Sequence, residues 1–174
     1  MDLQDRAILA GSRAALLYAE GGHAEALEAG AEAAGLAPDL GTGQQGVKQG
    51  FVWALEAALA LAERERAEEL LAAVEDLPPG LRPPMLEAHA HRFRARLDGD
   101  EAGFKTAAAR FRELEIPFWL AVTQLEHGEW LAGQERPQDA EPLLREAREI
   151  FERLEAAPWL ERADAVLPAL ARIG

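Results

Sequence analysis

The sequence contains no cysteine. That removes disulfides, thiolate zinc sites and thiol nucleophiles together, and it fits a reducing cytosol. Aromatic residues are scarce at 6%, against a hydrophobic fraction of 49% that is largely alanine and leucine. Sheets draw on β-branched and aromatic side chains, so this scarcity points to helices whose backbones approach closely. Long apolar runs are missing as well. The longest, Ala57 to Ala62, falls far short of the roughly 20 residues a membrane span needs. The opening Met1-Asp2-Leu3-Gln4-Asp5-Arg6 is acidic where a secretory leader would be basic. Positive charge is in short supply: 18 Lys and Arg stand against 31 Asp and Glu, for a net charge of −13. Such a surface keeps a protein in solution and repels phosphate backbones. The expectation is a soluble cytoplasmic protein that contacts neither nucleic acid nor membrane directly.

What the chain has is helical periodicity punctuated by proline. Pro38, Pro79, Pro117 and Pro158 recur about every forty residues, each closing an Ala- and Leu-rich stretch with room for two helices. Apolar spacing predicts helices over about 3–19, 23–36, 47–62, 65–76, 84–97, 101–115 and 118–133. An eighth starts near Asp139, an N-cap residue type, with Pro142 in its first turn. A ninth covers 159–173, where Pro168 implies a kink or an early stop. Gly41 to Gly46 reads as a flexible connector. In the second half, Ala107, Phe111, Leu114, Glu115, Trp119 and Leu120 return at one offset as Ala147, Phe151, Leu154, Glu155, Trp159 and Leu160.

This spacing resembles the tetratricopeptide repeat. Ala26, Gly30, Ala33 and Pro38 fit it in a first repeat, and Phe51, Leu55, Ala58, Ala67, Leu71, Val74 and Pro79 in a second. A third repeat keeps Phe104, Ala107 and Pro117 but has His89 where glycine would stand. A fourth has Gly128, Leu131, Ala140, Leu144 and Ala147. The resemblance implies an all-α solenoid of about four antiparallel hairpins, over about 3–38, 47–79, 84–117 and 118–157, capped by a helix over 159–173. It implies one repeat domain over 1–174. The last third, from Phe111 through Leu154, is also similar to a C-terminal repeat region of large bacterial regulators of the nucleotide-cyclase or signalling-ATPase type. That likeness implies a regulatory role.

Residues that would carry chemistry are sparse. His89 and His91 lie two apart on one helix and face different ways, and no H-E-x-x-H pattern occurs, so no metal site is expected. Gly41, Gly43 and Gly46 spell G-x-G-x-x-G, but an Ala-rich helix stands where a dinucleotide site needs a strand. No Gly-Lys-Ser/Thr occurs, and acid pairs such as Glu68-Glu69 read as surface charge. No enzyme and no cofactor is expected. The carboxylate clamp of chaperone-binding repeats is also absent: Gly11, Ala15, Val52, Glu56, Leu125 and Glu129 occupy its places.

The functional expectation is therefore a non-catalytic interaction module for a protein or peptide partner, such as another domain of a parent regulator. Glu56, Arg94, Glu129 and Trp130 are the candidate groove residues, with the two carboxylates favouring a basic ligand. His89 to Arg96 is the single basic segment. It reads either as a receptor for an acidic group through Arg94 or, more simply, as pairing with glutamates on neighbouring helices. The alternative reading is an all-helical small-molecule binder or enzyme with a pocket near Trp119 and Trp130. Apolar residues in excess of one buried stripe, Ile8, Leu9, Leu16 and Leu17 at one end and Trp159 to Ile173 at the other, predict self-association through an end helix or docking on another domain.

Overall fold

The computed structural model describes residues 2–170, with side chains as far as Leu167. Those residues are helical throughout apart from short connectors, with no strand among them. The helices are α1 (Leu3–Ala19), α2 (His23–Ala34), α3 (Ala37–Leu40), α4 (Gln45–Ala60), α5 (Arg64–Glu75), α6 (Pro84–Asp98), α7 (Glu101–Glu113), α8 (Pro117–Gly133), α9 (Pro137–Arg153) and α10 (Ala157–Leu170). The chain forms two compact units, Met1–Phe93 and Arg94–Gly174, with the division inside α6.

In the first unit α1, α2 and α4 pack on one another, and α5 lies against α4. Their contact surfaces are built from the smallest residues. A β-carbon placed on Gly46 would sit 2.3 Å from the Ala7 carbonyl carbon, and one on Gly30 would sit 2.8 Å from the Ala54 nitrogen. One on Gly50 would sit 2.6 Å from the Ala33 β-carbon. Ala26 and Ala33 are buried beside Gly30 on α2, so the backbones meet with almost nothing between them. α4 is enclosed on several faces, and Val47, Phe51, Val52, Leu55 and Ala58 are all buried.

In the second unit α8 packs against α7 and α9, while α10 lies on α9 and touches α8. The offset seen in the sequence is matched in burial and in helix capping. Ala107 and Phe111 of α7 are buried, as are Ala147 and Phe151 of α9. Leu114 and Leu154 are the corresponding C-caps. Trp119 and Trp159 are both half-buried, one on α8 and the other on α10.

The prolines work differently from the expectation. Pro117 and Pro137 open α8 and α9, in a turn whose first N–H groups have no intrahelical partner. What stops the preceding helices is a residue in the left-handed region: Gly21, Ala62, Gly99, Glu115, Glu135 and Glu155 all have φ between 54° and 84°. Behind most of them the backbone closes a Schellman pair; Ile116 N–H donates to Phe111 O and Glu115 N–H to Arg112 O.

Three local expectations are corrected. α9 begins at Pro137 with Arg136 as N-cap, so Asp139 lies in the first turn and holds the Arg136 Nε at 2.8 Å. Pro142 consequently falls in the helix interior. The stretch after α2 is partly ordered, with Pro38 inside α3 and Gln44 capping α4 by accepting from Val47 N–H. α10 continues through Pro168 to Leu170, whereas the expected apolar positions Leu170 (as a side chain) and Ile173 lie outside the described residues.

Candidate functional site

Glu56 does not face an open groove. It sits on α4 with 2% of its surface exposed, and its carboxylate accepts from the guanidinium of Arg92 on α6, which is fully buried. The Arg92 Nη1 also lies 3.4 Å from the Nδ1 of His89, one helical turn earlier. Burial, and then the Arg92 charge, hold the His89 pKa well below its ordinary 6.5, against the opposing pull of Glu56. His89 is therefore a neutral member of an interior network. The correction has a physical cause: α4 is apolar nearly all round, and a charged group on such a helix stays charged only with a partner of opposite sign beside it.

The basic segment largely resolves into pairs with glutamates. Arg92 meets Glu56, and Arg96 meets the buried Glu126 at 3.2 Å. Arg94 is half-buried and engaged in an interaction of its own. Glu129, on α8, is held by both ends of the Arg162 guanidinium, at 2.7 and 2.5 Å, so a ligand reaching it must displace an arginine. Trp130 is half-buried, its ring 6.3 Å from both Phe104 and His127. Trp119 packs against Phe118 at 5.0 Å. The four candidate residues are thus spread over three helices, α4, α6 and α8, and Glu56 lies in a different unit from Arg94, Glu129 and Trp130.

Two depressions bear on binding. The first unit has an open, mainly apolar groove of about 950 Å³, walled by Phe51, Leu77, Leu81 and Pro83, with Gly41 and Gly43 of the G-x-G-x-x-G stretch at its edge. Thr42 Oγ donates to Leu81 O across it at 3.2 Å, and the Arg82 guanidinium is taken up by the carbonyl oxygens of Leu77 and Glu75. Nothing charged is left pointing at a phosphate there. The second unit has a polar cleft of about 450 Å³ where α7 and α9 flank α8. Trp119 and Trp130 do not line it; Gln124 and His127 of α8 do.

Ion pairs between the outer helices border the polar cleft. Arg136 donates to Glu101 at 2.6 Å, and Arg112 to Glu146 at 2.8 Å. Hydrogen bonds from Arg136 and then Lys105 hold the Glu101 pKa at about 2. His127, 4% exposed, stacks on Phe104 with ring centres 5.2 Å apart. Burial lowers its pKa, opposed chiefly by Glu101. Neither Gln124 nor His127 is among the site residues expected from the sequence. The readable signal was a run of polar residues, Thr123-Gln124 and Glu126-His127, inside an otherwise apolar helix. Among the described residues no group of three or more histidine or carboxylate side chains is placed to hold a metal ion. None of the described helices is long and apolar enough to cross a membrane.

A third feature lies on α1. Ala7, Ala10, Gly11 and Ala14 form its buried face, while Ile8, Leu9 and Leu16 on the opposite side are 47%, 59% and 59% exposed. No family model matches the chain, and no curated protein matches it.

Proposed function

We propose that the chain is a non-catalytic interaction module, a tetratricopeptide-like solenoid of helical hairpins that docks another protein surface. The observation that supports this most directly is the outer face of α1. Three large aliphatic side chains there are about half exposed or more, on a helix whose inner face already satisfies its own unit. Isolated exposed leucines are ordinary, but three on one side of one helix form a patch of the kind that marks docking surfaces. Glycine and alanine contacts between helices, as at Gly46 against Ala7, agree with the close packing that the repeat pattern requires. The similarity of the last third to repeats of bacterial regulators makes the role a regulatory one, exercised on another domain or a second copy.

Light scattering over rising concentration tests this reading. The wild type should gain mass with concentration, and Leu9→Lys with Leu16→Lys should hold it as a monomer with unchanged helicity. A wild type that stays monomeric throughout, with solubility no different in the double variant, removes docking on a second copy through this face.

A further inference from the structure

The polar cleft of the second unit carries an observation that the interaction role does not use. Among the residues that line it, Gln124 Oε1 and His127 Nε2 are buried without a hydrogen-bond partner. Gln124 is 2% exposed, and buried amide oxygens in native proteins are nearly always satisfied. Its orientation is fixed: Nε2 donates to Glu146 Oε2 at 2.5 Å, so turning the amide would set its oxygen against a carboxylate. The Oε1 atom can only accept, so its donor is a water or a group of a bound molecule. His127 Nε2 stands 3.8 Å from Glu101 Oε1, too far for a hydrogen bond.

The surrounding charges select against an ionic visitor. The basic groups of the cleft are already turned onto its acids: Arg112 onto Glu146, Lys105 and Arg136 onto Glu101, with Arg136 also reaching Asp139. An anion would have to break these pairs, and a cation would find their carboxylates taken up. Ala108, Leu131 and Leu143 supply an apolar wall. The volume of about 450 Å³ lies within the range of small-molecule sites.

We propose that this cleft binds a small uncharged molecule through a primary carboxamide. One amide N–H donates to Gln124 Oε1, while the second hydrogen on Gln124 Nε2 donates to the carboxamide oxygen, making a paired amide ring. The remaining carboxamide N–H, or its oxygen, complements whichever role His127 Nε2 takes. Alkyl substituents of the ligand lie on the apolar wall.

Propionamide is the probe, read by the Gln124 side-chain amide and His127 ring resonances of isotope-labelled full-length protein. Propionate keeps the shape but brings a charge, and N,N-dimethylpropionamide keeps the carbonyl but has no N–H. The expected result is saturable shifts with propionamide, with binding of the other two at least about tenfold weaker, the cost of one unmet buried hydrogen bond. Gln124→Met, which keeps the side-chain length, should abolish saturation while leaving the remaining amide spectrum in place. No saturable shift with propionamide, or equal binding of N,N-dimethylpropionamide, overturns the proposal. The comparison between ligands is made on the native protein, so it decides the matter even if the variant fails to fold.

Discussion

Glu56 and Arg92 form an ion pair in the interior of the first unit, with 3% and none of their side chains exposed. They are carried by α4 and α6, so the pair fixes how those helices meet. Removing one partner leaves an uncompensated buried charge, a change that costs about 3–5 kcal/mol. Glu56→Gln and Arg92→Met should each lower the unfolding free energy by that much, read as a lower urea midpoint at unchanged slope. The double change Glu56→Leu with Arg92→Met should recover most of the loss, because it leaves neither charge behind. If the double variant is as unstable as the sum of the two singles, the pair is not the source of the cost.

The same network predicts a pH dependence. The folded His89 resists protonation, because burial and Arg92 hold its pKa well below 6.5. The unfolded chain takes up that proton at ordinary histidine pH, so below about 6.5 the unfolded state binds more protons and stability falls with pH. His127 acts in the same direction. Each such histidine contributes at most about 1.4 kcal/mol per pH unit. Urea unfolding between about pH 7.5 and 5 should show this decline, and His89→Gln should flatten it. Glu101 acts lower, through the carboxylate range: the stability its ion pairs give is present above 4.5 and is lost as pH falls toward about 2. A stability profile that is level from pH 7.5 to 5 contradicts the buried neutral histidines.

Much of this architecture is legible in the sequence and the site is much less so, for one reason. Helix positions follow from local spacing: the expected 3–19 and 84–97 match α1 and α6 to within a residue at each end. Small contact positions such as Gly30 and Ala33 follow from the same periodicity. The role of a charged residue depends on what stands opposite, and for Glu56 that is Arg92, thirty-six positions away. A warning was present: α4 has apolar residues on every face, and a helix of that kind is interior. The same holds for α8, where Gln124 and His127 are buried with Leu125 and Leu131. The α1 surface was readable because it needed only the excess of leucine and isoleucine over one buried stripe. α3, a single helical turn around Pro38, was hidden because proline and its neighbours read equally well as a loop.

The left-handed caps offer a stabilising test. Ala62, Glu115, Glu135 and Glu155 hold φ between 54° and 58°, a conformation that crowds the β-carbon of an L-residue and that glycine adopts without penalty. Glu135 and Glu155 are exposed, so replacing them removes no packing. Glu135→Gly and Glu155→Gly should each raise stability by about 0.5–1 kcal/mol, and together by roughly the sum. Glu135→Val, with a branched side chain at the same φ, should be destabilising. Thermal melts of the three variants check both signs at once.

Glycine at a helix contact should behave in the opposite way, and the cost should depend on what it meets. At Gly128 a β-carbon would lie 2.6 Å from Leu144 Cγ, a buried side chain of α9 rather than main chain. At Gly46 it would lie 2.3 Å from the Ala7 carbonyl carbon, backbone that cannot move unless α1 moves with it. Alanine gains about 1 kcal/mol over glycine in helix propensity at either position, and overpacking costs about 1–3 kcal/mol or more against it. Gly128→Ala should therefore lose up to about 2 kcal/mol, and the loss should shrink when Leu144→Ala is added, because the obstructing atoms go. Gly46→Ala should lose more than Gly128→Ala and should show no such relief from Ile8→Ala, since the obstruction is main chain. Gly133, at the exposed end of α8 with nothing within 4 Å of an added β-carbon, is the control and should tolerate alanine. Urea midpoints for this set order the three sites. If Gly46→Ala proves as mild as Gly133→Ala, α1 and α4 do not approach through their backbones.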